Sequence, residues 1–449
     1  MKSQPKLRHI LVVSTIIEVL IASAAMITPG KVWASNGRNL DSSTQFYVAK
    51  PNHGAIEQIA SLTASGNFTD ANLIQKLIDI PRAVWFTGGT PKSVEQAVKN
   101  TVQRASGKGT VPILVAYNIP FRDCAQFSAG GATSVQEYKN WIAGFAAGIG
   151  DRQAVVILEP DGLGIIPYYK PYGSGSYEWC QPSEADQATA AADRFLMLNY
   201  AVDQLKTHSK VNVYLDGTHS AWLGVGDAAN RLVQAGIARA DGFFLNVSNY
   251  QFTANLTQYG NWISECIAYA TIVDPGNFGN CPNQYWNGGP EGTKIAQLLG
   301  AWNGVALSPY GEWSDDSDDP TLNTSGINAR YTSMLGSTEP TTRFVIDTSR
   351  NGLGPWQPTM GAYPDPQDWC NAPDRGLGLQ PTANTGQSLL DAYLWVKVPG
   401  ESDGECTRGL GPAGETVDPE WGLIDPPAGQ WFPDMALTLA QNSNPSLQP

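Results

Sequence analysis

Ala154-Val-Val-Ile-Leu-Glu-Pro-Asp161 is an apolar, β-branched run that ends abruptly in two acids. The pattern reads as a short strand whose C-terminal end carries Glu159 and Asp161. Val111–Tyr117 repeats it, with Asp123 a few positions on. Five further runs look alike: Ala83–Phe86, Val211–Leu215, Gly242–Leu245, Arg343–Ile346 and Tyr393–Val398. Segments of helical periodicity lie between several of them, such as Ser134–Ile149, Glu184–Lys206 and a last helix ending at Gln441. Strands alternating with helices imply a parallel sheet. The expected fold is therefore α/β, a distorted parallel β/α barrel of about seven strands with a closed sheet and long active-site loops. In such barrels chemistry gathers at the C-terminal ends of the strands, which is where these acids fall.

The N-terminus reads as an address. Lys2, Lys6 and Arg8 precede an apolar stretch from Ile10 to Ile27, and Val32-Trp33-Ala34 offers small residues for cleavage before Ser35. Residues 1–34 are thus expected to be a signal peptide, 35–45 a polar lead-in, and 46–449 one catalytic domain. Export, either to the outside of the cell or to a periplasm, is the expected destination. Loss of the signal removes four cations and one anion, so the formal charge of −13 becomes −16. So acidic a chain has no electrostatic reason to bind nucleic acid. No membrane is expected as a partner after cleavage, and a monomer is expected.

Six cysteines follow the signal: Cys124, Cys180, Cys266, Cys281, Cys370 and Cys406. None forms a Cys-x-x-Cys pair beside histidine, and the chain holds only four histidines, so no metal site and no cofactor are expected. An even count in an exported chain suggests disulfides. Fifteen pairings are open, and sequential neighbours are favoured because each closes one loop beside a strand end.

Asp274–Gly289, Pro309–Ser325 and Gly354–Thr385 show neither periodicity, and loops of such length in a compact domain tend to be functional. Trp286, Trp313, Trp356 and Trp369 within them favour ordered walls. Trp85, Trp222, Trp369 and Trp395 are expected near the strand ends, where flat rings suit the C–H faces of sugars. Cleaving a glycosidic bond needs a carboxylic acid for the leaving oxygen and a carboxylate to handle water or the anomeric carbon. Asp161, at the end of an apolar run, is the best proton donor, because a dry setting keeps a carboxyl protonated. Asp123 nearby would raise its pKa further. Helix capping by Glu159 and Asp161 is the competing reading.

Tyr117-Asn-Ile-Pro-Phe-Arg-Asp-Cys124, Ile157-Leu-Glu-Pro-Asp161, Tyr214-Leu-Asp-Gly-Thr-His-Ser-Ala-Trp222 and Trp395-Val-Lys-Val-Pro-Gly-Glu-Ser-Asp403 together resemble the ordered motifs of family 6 glycoside hydrolases, the inverting cellulases. The resemblance implies Asp161 as catalytic acid, Asp123 as the aspartate that raises its pKa, Asp403 as the proposed base and Tyr117 beside the sugar at the cleavage point. It implies substrate binding by Trp85, Trp222, Trp369, Lys397 and Glu401, with Asp216, His219, Asn246 and Arg350 as polar positions around the site. Arg122 and Arg350 would support the carboxylates by pairing with Asp123, Asp403 or Asp347. The implied partners are cellulose and cello-oligosaccharides. The loops resemble those of bacterial exo-acting members, which implies a cellobiohydrolase, with an endo-β-1,4-glucanase or a non-catalytic glucan-binding protein as alternatives. Asn118 stands where an aspartate is common and Val398 where a proline is common, so the Glu401–Asp403 loop is expected to be less rigid than usual.

Overall fold

The computed structural model describes residues 40–285 and 305–447. The expected signal peptide, the start of the lead-in and Trp286 lie outside the described residues. Seven strands form one sheet in chain order, all parallel: β1 Val84–Phe86, β2 Ile113–Ala116, β3 Ala154–Leu158, β4 Val211–Asp216, β5 Gly242–Leu245, β6 Arg343–Asp347 and β7 Leu390–Leu394. The described helices are α1 His53–Ala64, α2 Phe68–Asp79, α3 Pro91–Gly107, α4 Val135–Ile149, α5 Ala190–Leu205, α6 Val225–Gln234, α7 Thr253–Ala268, α8 Ser325–Leu335 and α9 Pro433–Gln441.

Side chains alternate along each strand, and the two faces feed two different cores. Ile113 and Val115 of β2, Val155 and Ile157 of β3, Tyr214, Phe244, Val345, Ala392 and Leu394 pack together inside the curl of the sheet. Leu114, Val156, Leu158, Val213, Leu215, Phe243, Leu245 and Phe344 point outward against the helices. Burial on both faces explains why β3 and β5 read as unbroken apolar runs. A third cluster joins α1, α2 and α9 around Trp395.

The sheet does not close as a ladder. β1 and β7 are its two edges, linked by a single main-chain bond from the Ala83 N–H to the Trp395 carbonyl at 2.9 Å. The expected closed sheet is therefore a curled, open one. β7, Leu390–Leu394, begins three residues and ends four residues earlier than the expected Tyr393–Val398, and its end is set by the N–H groups of Val396 and Lys397, which donate to the Asp347 carboxylate at 3.1 and 2.9 Å. α5 starts at Ala190 rather than Glu184, since Asp186 turns the chain first by accepting from the Ala188 N–H. Parallel strands put every C-terminal end on one rim. The acids gather there.

Candidate active site

A cleft of about 720 Å³ opens on that rim. Its floor is set by the loops after β2 and β3, which present Tyr117, Asp123 and Asp161. Glu159 and Asp161 both have positive φ, 53° and 61°, so the chain turns sharply at the strand end instead of entering a helix. Helix capping is thereby ruled out for this pair. The Asp161 carboxyl has no side-chain hydrogen-bond partner among the described residues. Burial, then the charges of Asp216, Asp123 and Asp403, push it well above the usual carboxylate range. Burial also raises Asp123, to about 6, against the opposing pull of the Ser128 N–H at 2.6 Å and of Arg122.

Asp403 is set up in the opposite sense. Burial alone would raise it, but Arg350 and Lys397 outweigh that and hold it below its ordinary value. One oxygen accepts from Arg350 Nη1 at 2.7 Å and from the Asn371 N–H at 2.9 Å, while Lys397 Nζ lies 3.0 Å from the other. A group held protonated and a group held ionised thus line one cleft.

Aromatic rings form the walls. Trp85, on β1, donates through Nε1 to the Val396 carbonyl at 2.8 Å and meets the Tyr117 ring edge-on at 5.4 Å. Trp222 packs so closely over the Asp161 loop that a Cβ on Gly164 would lie 2.6 Å from its ring. His219 beside it accepts the Ala221 N–H on Nδ1, which puts its proton on Nε2, and burial lowers its pKa to about 3. It is a neutral donor. Trp369 and Phe127 touch at 5.9 Å between ring centroids. Glu401 faces the cleft and accepts from Asn52 Nδ2 at 2.9 Å.

Three expected site positions lie behind the cleft wall. Asp216 accepts from the N–H groups of Leu163, Gly164 and Thr218, so its carboxylate holds the Asp161 loop and reaches Asp161 only through charge. Asn246 donates to the Asp347 carbonyl and accepts from the Gln251 N–H. Arg350 is buried under Asp403 and stacks on Tyr250. Arg122 forms no ion pair with Asp123; it donates to the carbonyls of Thr87, Tyr117 and Ser128 and covers the Tyr117 ring. Trp395 and Trp313 are buried core residues, not sugar platforms, as is shown by Trp395 Nε1 bonding to the Leu379 carbonyl and by Trp313 stacking on Trp262. Three aromatic cleft residues escaped the sequence reading, Phe127, Trp179 and Tyr250. Glu159, fully buried, shapes the neighbouring loop by accepting from the N–H groups of Asn118 and Ile119 at 2.8 and 2.9 Å.

The model of "Glycosyl hydrolases family 6" matches residues 41–443. The chain belongs to glycosyl hydrolase family 6. This family 6 chain is similar to "Endoglucanase A" of Cellulomonas fimi, 32% identical over 381 residues that cover 85% of the chain and 58% of that protein. It is similar to "Endoglucanase 1" of Streptomyces halstedii at 31% identity, with 88% of each covered. Among solved structures, the endoglucanase Cel6 of Mycobacterium tuberculosis superposes with a TM-score of 0.59 at 27% identity, over 90% of this chain and 99% of that one.

The chain has three disulfides: Cys124 to Cys180 and Cys370 to Cys406 fasten loops of the family 6 rim, and Cys266 to Cys281 ties the end of α7 to the segment that follows it. The sequential pairing is the one found. Val398 does not leave its loop loose, because the Glu401 N–H bonds the Val398 carbonyl, the Ser402 N–H bonds the Gln430 carbonyl, and the Phe432 N–H bonds the Gly400 carbonyl. Gly404, at φ 144°, brings this loop against Phe127, where a Cβ would lie 2.4 Å from the Phe127 Cβ. The loops carrying Asp123 and Asp403 are therefore in contact.

Proposed function

We propose that this family 6 enzyme hydrolyses the β-1,4-glucosidic bonds of cellulose and cello-oligosaccharides with inversion. The observation that carries the reading is the pairing of an unbonded, protonated Asp161 with an ionised, doubly ion-paired Asp403 in one aromatic-walled cleft. Asp161 gives its proton to the glycosidic oxygen as the bond from that oxygen to the anomeric carbon breaks. Water adds to the opposite face and gives up a proton toward Asp403. Both Asp403 oxygens already accept cationic donors, which weakens it as a base, so a second water beside Asp403 takes that proton and passes it to solvent. Asp123 sustains the high pKa of Asp161, and its charge favours the positive charge that develops on the sugar. Tyr117, whose hydroxyl burial keeps protonated, stands beside the reacting ring. Trp85, Trp222 and Trp369 offer stacking faces, while His219, Lys397 and Glu401 bind hydroxyls. Arg122 and Arg350 position the loops and the Asp403 carboxylate.

Release of cellobiose from chain ends is the favoured mode, because loops from β2 and β7 meet through Phe127 and Gly404 beside Trp369 and narrow the cleft. Internal cleavage is the second reading, favoured by the endoglucanase names of the similar proteins. Soluble cellobiose released per unit loss of viscosity on carboxymethyl cellulose separates them. A high ratio supports end release, and rapid viscosity loss with little soluble sugar supports internal cleavage. No release of soluble sugar from any β-1,4-glucan would leave only a binding role. The reading includes export of residues 35–449 as a monomer to the outside of the cell or a periplasm, in keeping with three disulfides.

A further inference from the structure

Trp179 is 57% exposed, yet it lines the same cleft as Trp222 and His219. A large ring left in water costs hydrophobic free energy unless something covers it, and in a concave, polar-rimmed cleft the covering group is a ligand. Its position is preset from both sides. The preceding residue, Glu178, is ion-paired with the buried Arg231 of α6, which also donates to the Leu163 carbonyl in the Asp161 loop. The following residue, Cys180, is bonded to Cys124, next to Asp123. Main-chain bonds from Tyr168 to Cys180 and from Glu178 to Tyr169 close the loop at its base. The loop that carries the ring is thus tied both to α6 and to the loop after β2.

We infer that Trp179 is a specificity-determining platform that stacks on a glucosyl unit remote from the bond being cut, on the Trp222 side of Asp161. The inference rests on the glucan-hydrolase reading above. A ring so placed engages only chains long enough to reach past Trp222, so it sets the preference for longer substrates. Its contribution appears in KM for those substrates and not in the proton transfer at Asp161.

The test is kcat/KM on cellotetraose, cellopentaose and cellohexaose for the wild type, Trp179→Ala and Trp179→Tyr, with thermal melts to establish that each variant folds. The expected result is that the hexaose-to-tetraose ratio falls about tenfold in Trp179→Ala, the scale of one stacked aromatic face. Trp179→Tyr should restore most of it. An unchanged ratio, or an equal loss on all three lengths that Tyr does not repair, overturns the inference. Wild-type inactivity on every length would instead overturn the underlying glucan reading.

Discussion

Asp161→Ala should lower turnover of unactivated cello-oligosaccharides by roughly 10²–10⁴-fold while leaving binding nearly intact, because it deletes general-acid assistance and little contact surface. Steady-state kinetics with binding calorimetry would check it, and near-normal turnover would remove Asp161 from the role. Asp123→Asn tests the coupling between the two acids. The Asp123 charge helps to raise Asp161, so a neutral amide should let the Asp161 pKa fall and move the alkaline limb of the rate–pH profile to lower pH. An alkaline limb that stays in place would mean that burial, Asp216 and Asp403 hold the proton without Asp123. The same logic separates Asp216 from the sugar-binding groups. Its oxygens are taken by three backbone N–H groups, so its effect on chemistry travels through charge and loop position.

At the scale of elements, the disulfide from Cys370 to Cys406 spans 36 residues and encloses Lys397, Glu401 and Asp403. The chain-entropy model assigns a closure of that length about 3–4 kcal/mol. Mild reduction should therefore impair hydrolysis at temperatures where circular dichroism still reports a folded sheet. Full activity after verified reduction would show that Asn371 and the 430–432 segment hold the loop unaided. β3 and β5 were legible to the residue because their apolar runs are buried on both faces and bounded by polar residues. β7 was not, since what ends it is the Asp347 side chain, 49 positions away from Val396, and no local pattern records such a contact. Asp216 and Asn246 looked like substrate ligands for the same reason. A polar residue at a strand end serves the backbone or the ligand, and only three-dimensional neighbours decide which. Trp179 was hidden because it lies in a Gly-, Ser- and Tyr-rich loop whose path depends on a disulfide and on Arg231.

At the scale of the whole molecule, several buried carboxyls favour their protonated forms in the folded state. Burial raises Glu159 to about 7, Glu265 to about 8 and Asp123 to about 6. Between the ordinary carboxylate range and these values the folded chain holds protons that the unfolded chain has released, so stability falls as pH rises through that window. The lowered pKa of Asp403 acts only at more acidic pH, where its protonation weakens the fold. Differential scanning calorimetry should find a lower Tm at pH 8 than at pH 5, and a Tm that rises over that interval would contradict the assignment of buried, protonated carboxyls. On the proposed reading, one acid holds a proton and one carboxylate is set apart for water, which makes the reaction a single displacement at the anomeric carbon. Proton NMR of the first sugar released from cellohexaose, read before mutarotation, tests that most directly. The account predicts the α-anomer; initial release of the β-anomer would demand a covalent nucleophile and contradict it.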